Sequence, residues 1–188
     1  MQYGALHPES RAFLGSWRAL NGLERDEDTH NALSKDASSL IDRLFLAQRV
    51  AEGVFTFKTV GNDLKLWTGR DLRDHEIGSI FHGADRVLIR ALLESAVAAP
   101  GPALARACAF GAGAGQRSEV ELVFLPLLEK GLADRVLGLF QPVASTFSIS
   151  KPALRFALTA LLPPAPEQPA RPGLRLVASR DFPSRPLA

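Results

Sequence analysis

The chain has 188 residues, 46% of them hydrophobic, a formal net charge of +2 and one cysteine, Cys108. Such a length suits about one domain with extensions and needs no disulfide staple, and a lone cysteine excludes both an intramolecular disulfide and any multi-cysteine zinc arrangement. No uncharged apolar run approaches the roughly 18 to 20 residues of a membrane span, and the opening MQYGALHPES lacks the basic and apolar regions of a secretory signal, so a cytoplasmic protein without membrane insertion is expected.

In chain order, the first predicted element is a helix from Pro8 to Leu20. Pro8 occupies a favoured first-turn position and Glu9 complements the helix dipole. Phe13, Leu14, Trp17 and Leu20 form one apolar stripe that something must cover. Packing on the body of the same domain is the leading reading, and a partner or homodimer contact is the alternative. Residues 24–36, ERDEDTHNALSKD, read as an acidic linker whose charges form a solvated face, with a helical turn before Ser38 to Ile41.

Two β-rich runs follow, Leu44 to Val50 and Val54 to Thr59, joined by Ala51-Glu52-Gly53, a connection short enough for antiparallel neighbours. Gly61 breaks the second strand, and Asn62-Asp63 are placed to cap a helical turn carrying Leu64, Leu66 and Trp67. Next come Ile77 to Phe81 and a stronger helix from about Ala84 to Ala98. Its predicted inner face is Val87, Leu88, Ala91, Leu92 and Ser95, and Pro100-Gly101-Pro102 stops it.

Three more extended segments are expected: Leu104 to Ala112, Glu119 to Leu127 and Arg135 to Gln141. Alternation in Glu119-Val120-Glu121-Leu122-Val123-Phe124 predicts a strand buried on one face only. Beyond Pro142, Ala153 to Leu162 suits an added strand slightly better than a helix, and PPAPEQPARP is expected to be an extended, Pro-rich tail. The pattern alone gives an α+β chain.

The stretch Arg43 to Leu72, with its hairpin, its glycine switch and the step Gly69-Arg70-Asp71-Leu72, resembles the alphaproteobacterial family of single PAS-domain regulatory proteins. The resemblance runs from about Trp17 to Val143. It implies a PAS-like sheet of five antiparallel strands covered on one face by short helices. The implied organisation is an N-terminal helical extension at 1–42, a PAS domain at 43–143 and a C-terminal extension at 144–188. Where the family places another small residue after the Gly-Arg-x-Leu step, this chain has Arg73-Asp74-His75.

The resemblance also implies a regulatory rather than catalytic role. Binding a sensor kinase or another regulator in bacterial signalling, with Phe13, Leu14, Trp17 and Leu20 as interface candidates, is the first expectation. The alternative is a sensor of haem, flavin or an apolar metabolite, in a cavity lined by Phe57, Trp67, Ile80, Phe81, Leu88, Leu92, Phe110, Leu122 and Phe124. No particular cofactor is indicated.

Reactive groups offer little to set against this. The glycines Gly111, Gly113 and Gly115 precede a strand instead of a helix, so a hairpin is expected there and not a phosphate cradle. His75 and His82 are separated by Gly78 and followed by Gly83. Surface or capping roles are expected for them, with haem ligation the sharper alternative. His7 and His30 lack ligand partners at suitable spacing, and Cys108 reads as a small buried hydrophobe. Asp71, Asp74 and Glu76 read as helix-capping acids. No nucleophile, base and orienting group can be nominated together, so an enzyme is not expected. The basic residues are scattered rather than gathered on one face, so neither is a nucleic-acid partner.

Overall fold

The computed structural model describes residues 6–21, 40–110, 117–129, 132–143 and 155–165. The acidic linker, His30, the glycine loop at 111–116 and the Pro-rich tail lie outside them. Helix α1, Pro8–Leu20, starts where expected, and the His7 imidazole Nδ1 caps it by accepting the Glu9 amide at 3.3 Å. Strands β1 (Leu44–Ala51) and β2 (Val54–Val60) form the hairpin, with Gly53 at a φ of 67° in its turn. Helix α2 (Asn62–Thr68), a short 3-10 turn (Ile77–Ile80) and helix α3 (Asp85–Ala98) follow. The chain then returns to the sheet as β3 (Ala103–Phe110), β4 (Arg117–Glu129), β5 (Leu132–Pro142) and β6 (Arg155–Leu162).

All strand pairs are antiparallel, in the order β2-β1-β5-β4-β3-β6. The added strand expected within Ala153 to Leu162 is present as β6, so the sheet has six strands where the PAS resemblance implied five. Arg155–Leu162, in which Phe156 and Leu158 alternate, pairs along nearly all of β3, from Leu104↔Leu162 to Phe110↔Arg155. The Asp85 carboxylate accepts the Leu158 amide at 2.9 Å, which occupies a donor on the outer edge of this strand.

The molecule has three layers. Helices α2 and α3 and the 3-10 turn cover one face of the sheet, over a core that includes Phe45, Phe55, Phe57, Leu122, Phe124 and Phe140. Helix α1 covers the other, where Phe13, Leu14 and Trp17 meet Leu104, Val123, Leu125 and Leu139. Strand β4 is consequently buried from Val120 through Pro126 on both faces. This corrects the one-sided burial expected from its alternation, since the period of two remains but each face has its own cover.

The rotation of α3 also differs from the expected one. Ile89, Leu92, Leu93, Ala96 and Val97 face the core, while Val87 and Leu88 are 63% and 46% exposed. Both stripes have helical spacing, and polar contacts along the helix favour the observed one. Arg90 pairs with Glu76, and Glu94 accepts Arg49 Nε at 3.1 Å and the Gly53 amide at 3.0 Å. Those bonds tie α3 to the β1–β2 hairpin and turn its bulkier apolar stripe inward.

Candidate functional site

The candidate site is built from what each face of the sheet buries. On the helix-covered face, Phe57, Ile80, Phe81, Leu92, Leu122 and Phe124 lie in one packed cluster with Trp67 at its margin. Edge-on ring contacts fill it: Phe45 against Phe57 at 5.3 Å and against Phe124 at 6.1 Å, and Phe140 against Phe156 at 4.9 Å. Trp67 lies 5.6 Å from Phe140. Rings at these separations are in the range of favourable quadrupolar contact and serve as core. Two of the nine cavity candidates remain. Leu88 points to solvent, because α3 presents its other stripe to the sheet, and the Phe110 side chain lies outside the described residues.

The opposite face is built around α1. Phe13, Leu14 and Trp17 are 7%, 3% and 5% exposed, whereas Leu20, at the end of the helix, is 86% exposed. Two sets of polar contacts hold the helix down. At its start, Arg43 donates to both Glu9 and Gln141, and the His7 amide donates to Glu121 at 3.0 Å. Glu121 is almost wholly buried and also accepts Arg106 at 2.9 Å from the directly opposed position on β3. Burying a carboxylate is costly, and such hydrogen-bonded partners offset the cost. Near the other end, the Trp17 indole N–H donates to the Pro126 carbonyl at 2.9 Å. Sequence reasoning found the apolar stripe but missed this latch. Glu121 read as the solvent side of an alternating strand, and only the packing of α1 makes it interior.

The Gly69-Arg70-Asp71-Leu72 step has a physical reading. Gly69 closes α2 at a φ of 66°, a conformation glycine adopts without strain. Arg70 reaches the Ser79 carbonyl at 3.2 Å, and Leu72 is fully buried. Past this step Asp74 takes a φ of 61°, which aspartate tolerates better than most residues. Its amide donates to the Phe57 carbonyl at 2.8 Å, and the Phe57 amide donates to the His75 carbonyl at 3.0 Å. Arg73-Asp74-His75 thereby shields the free edge of β2.

The three acids expected to cap helices instead form ion pairs: Asp71 with Arg73, Asp74 with Lys58 and Glu76 with Arg90. The Arg73 guanidinium and its backbone N–H pull the Asp71 carboxyl down to about 2. His75 and His82 are exposed and flank the 3-10 turn rather than sharing one helix. Among the described residues, no three His, Cys, Asp or Glu side chains are grouped to hold a metal ion. Cys108 is a buried free thiol on β3.

At the start of α2, burial and then the nearby Asp42 charge push the Asp63 carboxyl above its ordinary 3.8, against a smaller opposing effect of Arg43. A carboxyl raised in the folded state contributes stability that is full below its unfolded pKa and is lost as pH rises through the folded one. Asp63→Asn is therefore expected to unfold at the same denaturant concentration as the parent near pH 3 and at a higher one near pH 7. A constant difference between the two unfolding curves across that range would contradict the assignment.

The antiparallel sheet and the short helices on one face define an α+β module. A family model for the PAS domain matches residues 5–141, and the chain belongs to the PAS domain family. The matched span includes α1 and ends before β6. No curated protein matches the chain. None of its described helices is long and apolar enough to cross a membrane.

Proposed function

We propose that this PAS protein is a non-catalytic, cytoplasmic regulator that works through protein contacts in bacterial signal transduction. A sensor kinase or another regulator is the partner, and motility or cell-cycle control is the setting its single-PAS resemblance suggests. The observation that carries the reading is the separate helical layer on the outer face of the sheet. Helix α1 covers Leu104, Val123, Leu125 and Leu139 with only three large side chains, and the latch that secures its start centres on the Arg43–Glu9 pair. A partner that binds the uncovered face, or α1 itself, shifts the population by its differential affinity for the undocked form. Exposed Leu20 extends the stripe beyond the area the sheet covers.

Internal packing supports contact-based signalling over a haem, flavin or metabolite sensor. Of the aromatic candidates for a cavity lining, Phe57 and Phe124 lie edge-on to Phe45, Trp67 lies against Phe140 and Phe81 against Phe156.

Glu9→Ala removes a carboxylate partner of Arg43, whose side chain is only 10% exposed. It is expected to weaken docking by about 1 to 2 kcal/mol, which raises the undocked population roughly tenfold. Hydrogen exchange at Val123 and Leu125 should accelerate by that factor. Association, measured as self-association by sizing and as recovery of one partner by pull-down, should rise with it. Faster exchange with no change in either association would end this reading.

A further inference from the structure

A second feature lies away from both sheet faces. At the rim of the helix layer is a recess of about 460 Å³ lined by Thr68, Arg70, Ser79, His82 and Arg155. The volume falls within the range of small-molecule sites. We propose that this recess binds a small organic oxyanion, a phosphate monoester or a carboxylate.

Three separate segments bring their donors to one place. Arg70 stands just past the end of α2, and its Nη2 is steadied by the Ser79 carbonyl at 3.2 Å and the Ser79 hydroxyl at 3.4 Å. That geometry spends one nitrogen and leaves the rest of the guanidinium fork for a ligand. Ser79 Oγ accepts from Arg70, so its own hydrogen is available to donate. The Thr68 hydroxyl is committed to the Leu64 carbonyl at 2.7 Å and shapes the wall. A backbone junction supplies the third side. Phe81 and Phe156 form a parallel bridge, and the His82 amide donates to the Phe156 carbonyl at 3.0 Å. This fixes His82 beside Arg155 at the first residue of β6.

None of the described lining residues is a carboxylate. Of the acids close to them in sequence, Asp71, next to Arg70, pairs with Arg73, and Asp85, three residues past His82, is turned onto the Leu158 amide. Two guanidiniums facing one recess repel each other, and an oxyanion that bridges them converts that repulsion into charge-assisted hydrogen bonds. Arg155 comes from beyond the matched residues 5–141, so membership of the PAS family does not by itself supply the site. A ligand there would clamp β6 to the loop after α2, whatever α1 is doing on the other face.

The test titrates the full chain with phenyl phosphate and, separately, with benzoate, at constant ionic strength set with chloride, by calorimetry and by amide shift mapping. Saturable binding at one site per chain by either probe, with shifts centred on Arg70, Ser79, His82 and Arg155, supports the proposal. The probe that binds names the oxyanion class. Arg70→Gln and Arg155→Gln should each weaken that binding about tenfold or more. Both side chains are exposed, so the two variants should keep the circular dichroism of the parent. Failure of both probes to saturate, or equal binding by the parent and both variants, overturns it. Because α1 takes no part, this outcome is separate from that of the Glu9→Ala experiment.

Discussion

Trp17→Ala is expected to cost about 4 kcal/mol, at the upper end for a core truncation, and to release α1 from the sheet. The indole is 5% exposed, packs on the cluster formed with Leu104, Val123, Leu125 and Leu139, and donates its N–H to the Pro126 carbonyl. Its removal leaves a cavity where the helix has its widest side chain and strands a buried carbonyl. A free helix of this length is marginal in water, so undocking should unfold it. Among the described α-helices, α1 supplies 13 residues against 7 and 14 in α2 and α3, so ellipticity at the helical minimum should fall by roughly two fifths. The inner core, which α1 does not touch, should keep its slow exchange. Trp17→Phe retains most of the apolar area and should cost about 1 to 2 kcal/mol for the lost hydrogen bond. Full retention of helical signal in Trp17→Ala would show that the docking energy resides elsewhere.

Gly138→Ala should be nearly as damaging, at about 3 kcal/mol, through overpacking. Gly138 pairs directly with Phe45 across β1 and β5, and a Cβ built at Gly138 would fall inside the Phe45 ring. The ring has nowhere to go. Phe45 is 2% exposed and is held edge-on by Phe57 and Phe124. If crowding is the cause, Phe45→Leu should partly rescue the alanine variant, so that the double substitution costs less than the two singles together. Denaturant unfolding of the four proteins measures this directly. A loss under about 0.5 kcal/mol for Gly138→Ala, or strict additivity, would mean that the backbone yields more easily than the packing indicates.

These two residues show what was legible in the chain and what was not. Trp17 was visible as part of a stripe at helical spacing, and the helix that carries it begins and ends where proline and periodicity placed it. Gly138 was silent, because a glycine inside a strand has meaning only through the side chain that lies over it. Helix α3 falls between the two. Its limits were readable, but two apolar stripes of equal period made its inner face ambiguous until Glu76 and Arg49 took hold of its polar flanks. For the candidate sites, Phe13, Leu14 and Trp17 were found as a group, whereas the Glu9, Arg43, Glu121 and Arg106 network that secures them was missed. Its members are 34 and 15 residues apart in pairs, too far for any local pattern. The recess at Arg70 and Arg155 escaped for the same reason.

By itself, then, the sequence determined the order and type of the elements, from turn residues, caps and periodicity, because those are local properties of neighbouring side chains. It also determined the resemblance to PAS proteins, through a hairpin and a Gly-Arg-x-Leu step that local geometry explains. Tertiary structure alone decided that β4 is covered on both faces, that the added strand pairs with β3, that Glu121 is interior, and which arginines line one recess at the rim. Burial and charge pairing depend on which distant segments come into contact, and that follows from the packing of whole layers.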